Sequence, residues 1–179
     1  MDEPISTPSG TVTIRPATVE DAAAYRELRL EALQNHPEVF GSDYETAVAR
    51  PASFWTERLK VAGTPGSAQM YLAWHETEPL GLCGLAISDA RKSRHSANLI
   101  SMYVRPAWRR MGIADALIAA CLAWARGRDI KIVKLAVVTT NVGALRCYER
   151  NGFTPYGTEP QALYHDGVYY DELLMSRAV

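Results

Sequence analysis

Arg109-Arg110-Met111-Gly112-Ile113-Ala114 stands where an extended run ends and a helical pattern begins. Unpaired amide N–H groups at a helix start, aided by the helix dipole, hold phosphate well. Close approach of a phosphate to backbone needs small residues, which Gly112 and Ala114 supply, while Arg109 and Arg110 add positive charge. On the fragment alone, an ordinary turn with solvated arginines serves equally, because short motifs recur by chance. The Gly-Lys-Ser/Thr ending of a Walker loop is missing, and G-x-G-x-x-G does not occur, so neither of those phosphate sites is supported. A second stretch pairs Asn141 with Tyr148, seven residues or roughly two helical turns apart. By residue type alone, Asn141 reads as a helix N-cap and Tyr148 as a core aromatic.

These residues need elements to position them. Thr11 to Arg15 alternates as a half-buried strand does. Thr18 and Asp21 make a capping box for a helix to about Leu33, with Tyr25, Leu28, Ala32 and Leu33 at helical spacing. His36 to Pro51 reads as irregular, and Ser53 to Val61 as a second helix, followed by the breaker cluster Gly63-Thr64-Pro65-Gly66. Strands are predicted at Gln69 to His75, Leu80 to Ile87 and Asn98 to Val104, the last closed by Arg105-Pro106 because proline cannot continue a ladder. A third helix starts near Gly112, with Ile113, Leu117, Ala120, Cys121 and Trp124 as its apolar stripe. Lys131 to Val138 reads as a buried strand, and Val142 to Asn151 as a helix ended by Gly152. Gln161 to His165 and Val168 to Met175 flank Asp166-Gly167, a hairpin signal. The expected architecture is one α/β domain over residues 11–179 behind a flexible tail, residues 1–10. Its mixed, mostly antiparallel twisted sheet has about seven strands flanked by four helices.

With those elements in place, Val104-Arg105-Pro106-Ala107-Trp108-Arg109-Arg110-Met111-Gly112-Ile113-Ala114 resembles the V-x-P…(Q/R)-x-x-G-x-(G/A) signature of the GNAT acetyltransferase superfamily. The segment Asn141 to Phe153 is similar to that family's N-x-x-A-x-x-x-Y-x-x-x-G-F block. The likeness extends from about Thr11 to Ser176 and is most specific over Asn98 to Phe153. It implies that the amides of Arg109 to Ala114 hold the CoA pyrophosphate and that Met102, Tyr103 and Val104 pair with the pantetheine arm. Asn141 would contact the cofactor, and the Tyr148 hydroxyl would face the thioester sulfur.

The reaction so implied is direct attack of a neutral amine on acetyl-CoA, with no metal. An amide near Val104 would serve the oxyanion, and Tyr148 would stabilise the departing thiolate. Many relatives carry Glu where this chain has Asn98, which cannot take a proton, so Glu45, His95 and Tyr103 stand as other candidates for the base. A site without a strong base favours less basic acceptors such as α-amino groups. Phe40, Tyr44 and Glu45 fall in the region that lines the acceptor side in relatives, although ordinary packing explains them as well. The implied activity is acetyl transfer to a primary amine of a small molecule or peptide. The alternative is a non-catalytic acyl-CoA-binding or regulatory module, which Asn98 favours and Tyr148 opposes.

Bulk properties narrow the setting. The 179 residues, 47% hydrophobic and 22% charged, are ordinary for a globular chain. A net charge of −1 with interleaved signs provides no electrostatic reason for nucleic acid or an anionic membrane as partner. Cys83, Cys121 and Cys147 lack metal-ligand spacing and read as reduced thiols. No Cys–His pair supports a covalent acyl-cysteine route. Neither a signal-peptide core near the N-terminus nor a membrane-length apolar run occurs, so a cytoplasmic protein is expected. The resemblance leaves a homodimer open.

Overall fold

Along one strand, successive apolar side chains point to opposite faces, so a strand apolar at every position must be covered on both sides. The computed structural model describes residues 4–60 and 66–179 and shows how that covering is done. Among the described residues, eight strands form one sheet: β1 (Ile5–Thr7), β2 (Gly10–Pro16), β3 (Ala68–His75), β4 (Glu78–Ile87), β5 (Ser96–Val104), β6 (Ile132–Val138), β7 (Thr154–His165) and β8 (Val168–Ala178). Their order is β1-β2-β3-β4-β5-β6-β8-β7. Neighbours are antiparallel except β5 and β6, which run parallel. The helices are α1 (Ala22–Asn35), α2 (Tyr44–Val48), α3 (Ala52–Lys60), α4 (Ile113–Arg126) and α5 (Val142–Arg150).

Met70 and Leu72 of β3 join Leu82 and Tyr103 beneath Tyr25, Leu28 and Ala32 of α1 and Trp55 and Leu59 of α3. Tyr71 and Ala73, out of phase by one residue, enter a second core with Leu85, Leu99 and the buried side of α4. The sheet therefore separates two apolar layers, and a group reaching from one to the other must pass between strands.

The expected mixed α/β architecture holds, with differences that have local causes. Ile5–Thr7, assigned from sequence to a tail, pairs with Gly10–Val12 as a short edge strand, too brief to show a periodicity. Within the stretch read as irregular, Tyr44–Val48 forms a helix, capped by Asp43 accepting the Thr46 N–H at 2.7 Å. The buried side of α4 is Ile113, Leu117, Ile118, Cys121, Leu122 and Ala125. The stripe is thus rotated from the expected one, and Ala120 and Trp124 are only partly covered. The strand expected to be buried throughout, β6, instead alternates, with Ala136 exposed. Strand β7 starts at Thr154, earlier than expected, because its first half is exposed, carries Pro155 and Pro160 and is interrupted by register shifts. Prolines are tolerated there because β7 is the sheet's edge. The Asp166-Gly167 turn has φ values of 46° and 83°, the left-handed pair a two-residue hairpin needs. Residues 1–3, 61 and 63–65 of the expected tail, helix and breaker cluster lie outside the described residues.

Arg15 at the end of β2 donates two bonds of 2.7 Å to the two Asp21 carboxylate oxygens, and Oδ2 also accepts the Thr18 N–H at 2.8 Å. The Arg15 bond first, then those from Thr18, hold the Asp21 carboxyl below its ordinary pKa. A depressed folded-state pKa stabilises the fold above the unfolded value near ~3.9, and that stabilisation is lost as pH falls through the lower folded value. Asp21→Ala is expected to lower unfolding free energy by about 1–3 kcal/mol at pH 7. Paired denaturant melts of both proteins at pH 7 and pH 3 should show the gap narrowing at the lower pH.

Candidate functional site

Strands β5 and β6 pair only at Ser96–Ile132, Ala97–Val133 and Asn98–Lys134, and then part. The cause lies on the other side of β5. Its register with β4 slips by one residue between Gly84–Ile100 and Leu82–Tyr103, leaving an extra residue in a β-bulge. Within the bulge Ser101 has φ 58°, a left-handed conformation that costs a non-glycine residue about 1–3 kcal/mol. The bulge bends β5 away, and a cleft of about 470 Å³ opens between the strands, lined by 98–102 of β5 and 135–138 of β6.

The end of β5 is anchored to α1. Glu31 accepts from Tyr103 Oη at 2.8 Å and from Arg105 Nε at 2.9 Å. Arg105 also pairs with Glu27 and, at 2.9 Å, with Glu78. Beyond it, Pro106–Trp108 make one 3₁₀ turn, Arg110 takes φ 63° and Gly112 φ 81° before α4 begins. A Cβ built on Gly112 meets no atom within 4 Å, so glycine is required there by backbone conformation, not by crowding. The amides of Ile113, Ala114 and Asp115 open α4 without intrahelical acceptors.

The sequence-expected residues divide on inspection. Arg110 is exposed at the loop, and Met111 packs on the core beneath it. Arg109 donates Nε–H to the Val104 carbonyl at 2.9 Å and lies 2.8 Å from His36 Nε2, so its guanidinium braces the turn. Met102 lines the cleft, whereas the Tyr103 side chain is buried on the opposite side against Glu31 and Asn35. Asn141 caps α5, accepting the Ala144 N–H at 3.2 Å, and also lines the cleft. Phe40 lines it too, while Tyr44 packs against the α1–α3 core. Exposed Glu45 and His95 are not among its lining residues.

Tyr148 sits at the cleft with 7% of its surface exposed, its ring 6.0 Å from Phe153 in edge-to-face contact. Burial pushes its hydroxyl pKa well above the ordinary tyrosine value, so it remains a proton donor in hydrogen bonds throughout the working pH range. Sequence reasoning missed Glu172. This residue, on β8 opposite Val138, lines the cleft, and burial together with Glu159 across the strand pair raises its carboxyl pKa. Glu172 thus adds a cleft-lining carboxylate to the residues the sequence offered as candidate bases. Cys147 lies on another side of α5, its Sγ 4.0 Å from Asp115 Oδ1, and burial lifts its thiol to about 11. That value leaves almost no thiolate at neutral pH. Cys83 and Cys121 are free thiols buried in the core with sulfurs 3.8 Å apart.

Residues 25–153 match the family described as Acetyltransferase (GNAT) family. Among curated relatives, a mycothiol acetyltransferase of Acidimicrobium ferrooxidans is 29% identical over 141 residues. That match spans 79% of this chain and 42% of the relative, so the chain matches less than half of that protein's length. An aminoglycoside N(6')-acetyltransferase type 1 of Klebsiella aerogenes is 28% identical over 149 residues, covering 79% of this chain and 88% of its own. A Salmonella typhimurium protein solved with its cofactor acetyl-CoA superposes with a TM-score of 0.80 at 20% identity, over 93% of each chain. Among the described residues no helix is long and apolar enough to cross a membrane.

Two positions at the site carry stability of their own. Asn141→Ala is expected to cost about 1 kcal/mol through the lost cap, and Asn141→Ser to restore most of it. Gly112→Ala should cost about 1 kcal/mol through its positive φ. Denaturant midpoints at unchanged slope would check both.

Proposed function

The chain belongs to the GNAT acetyltransferase family and is an acetyl-CoA-dependent N-acetyltransferase; on that premise we propose that its acceptor is a primary amine of a small molecule or peptide, acetylated by direct attack. The observation that carries this reading is one cleft lined by both Tyr148, a hydroxyl held protonated, and Glu172, a carboxylate of raised basicity.

The donor fits what surrounds it. Free amides at the start of α4, two left-handed residues that curl the loop around them, and exposed Arg110 suit a diphosphate. The unpaired edge of β5 beside Met102 suits an extended amide-containing arm, which would add to the sheet as a further strand. Acetyl-CoA supplies the acyl group already activated as a thioester. In our reading Asn141 and Tyr148 approach it from the α5 side and Glu172 from β8. The amine nitrogen bonds to the acyl carbon to give a tetrahedral oxyanion, whose collapse breaks the carbon–sulfur bond and expels the thiolate. Nitrogen becomes far more acidic once bonded to that carbon, and Glu172 accepts the proton it sheds. Tyr148 donates a hydrogen bond to the departing sulfur, since full proton transfer from so weak an acid is uphill. The aminoglycoside N(6')-acetyltransferase among the relatives is named for transfer to an amino nitrogen, which supports the same class here.

Thiol release from acetyl-CoA with a panel of amines tests this reading, and an inert panel despite tight CoA binding would count against it. Tyr148→Phe is expected to lower kcat by about 10²–10⁴ while leaving acetyl-CoA affinity nearly intact. Glu172 acts as a base only when ionised, so kcat should rise with pH through its raised pKa. That acidic limb should lie above the usual ~4.3 of glutamate and disappear in Glu172→Gln. A pH–rate profile unchanged by the substitution would remove Glu172 from the reaction.

A further inference from the structure

Beside the cleft, between α1, α2 and α3, lies a side pocket of about 130 Å³. It shares Arg29, Ser42, Arg58 and Ser101 with the cleft, so the two cavities adjoin on the α1–α3 side of the sheet. The pocket is rich in donors. Arg29, Arg50 and Arg58 all line it, against one carboxylate, Asp43, which is already engaged by the Thr46 N–H. Two buried donors among its lining residues have no partner among the described residues: Arg29 Nη1 and the Trp55 indole N–H.

These features are costly unless something fills them. A buried guanidinium nitrogen without an acceptor forfeits hydrogen bonds it would have in water. The Arg29 guanidinium lies 4.6 Å from the Phe40 ring centroid, and this cation–π contact gives Nη1 no acceptor. Arg58 donates Nε–H to Tyr25 Oη at 3.2 Å, which orients its remaining N–H groups beside Arg29. Burial first, and Arg58 behind it, lower the Arg29 pKa, which is the direction expected of a cation without a counter-ion.

We infer that the acceptor amine carries an oxyanion, a carboxylate or a phospho group, which seats in this side pocket on Arg29, with Arg58 and the Trp55 indole N–H as further donors. The inference rests on the acetyl-transfer reading for what the amine does, and the pocket itself for what accompanies it. The forked guanidinium matches two oxygens of such a group at once. Anchoring there would leave the amine on the cleft side, which Glu172 and Tyr148 also line.

The full chain should be assayed for thiol release with matched acceptors: amino acids beside their carboxamides, and aminoalkylphosphonates beside the corresponding alkylamines. The wild-type protein is expected to favour the acidic member of at least one series by about tenfold or more in kcat/KM. Which series responds identifies the oxyanion. Arg29→Gln should lower kcat/KM for the acid about 10- to 100-fold more than for its neutral partner. Arg29→Lys should recover part of the preference. Arg58→Ala, at an exposed position, should act in the same direction more weakly and serves if Arg29→Gln fails to fold. Equal use of acid and neutral partner, or a preference untouched by both substitutions, would overturn the inference. Should no amine in the panel react, inorganic phosphate and acetate titrated against CoA-saturated protein decide the matter. A thermal upshift in wild type that is lost in Arg29→Gln supports the pocket, and identical shifts overturn it. Absence of CoA binding would instead sink the acetyl-transfer reading, and the wild-type and Arg29→Gln difference in phosphate alone would still judge the pocket.

Discussion

Everything at the site depends on two parallel strands separating in the middle of a sheet. Strands β5 and β6 share three register pairs and then diverge, and the backbone groups beyond Asn98 and Lys134 lose the partners a sheet interior would provide. Buried peptide groups are seldom left unpaired, because each such group costs about as much as a lost hydrogen bond. An opening of this kind must therefore be enforced from one side and used from the other. The enforcing side is visible: the bulge at Ser101 turns β5, and Glu31, shared by Tyr103 and Arg105, ties its end to α1. In the proposed reading, the using side is a ligand whose own amides take up the free edge.

Because the sheet divides two cores, the same parting makes a passage between them. Tyr148 and Asn141 reach it from α5, while Phe40, Arg29 and Arg58 reach it from the layer of α1 and α3. Burial then acts in one direction on two different acids. It raises the Tyr148 hydroxyl, which keeps it a donor, and it raises Glu172, which makes that carboxylate a better proton acceptor. In the proposed reaction a single low-dielectric cleft thus suits the two groups to opposite roles by acting on different starting acidities.

The legible part of this molecule was the part whose chemistry is local in sequence. The run from Val104 to Ala114 and the run from Asn141 to Phe153 each place their residues by one turn or one helix, so spacing alone locates them. The strand–helix order, the Thr18–Asp21 cap and the Asp166-Gly167 hairpin were readable for the same reason. Side-chain direction was less so. Charge and position mark Arg109 in the sequence, but its guanidinium also braces the Val104 carbonyl, a bond across five residues that no periodicity reveals. Tyr103 likewise belongs to the core on the far side of β5, because the bulge fixes which side chains face the cleft.

The acceptor side was not legible, and the reason is topological. Arg29 comes from α1, Arg58 from α3 and Glu172 from the last strand, which joins the sheet between β6 and β7 only through antiparallel pairing. No spacing links them, and in sequence each is an ordinary charged residue on an amphipathic element. What separates them from solvated surface charge is their convergence on one cleft, a property of the assembled chain. In the proposed reading the donor is gripped largely by backbone, whose groups any residue supplies once φ is permitted. The acceptor end, in contrast, is lined by side chains that can be exchanged singly without disturbing the strands that hold the cleft open. A scaffold divided in this way can change what it acetylates while keeping how it acetylates, and the unmet donors of Arg29 and Trp55 are where such a choice would be written.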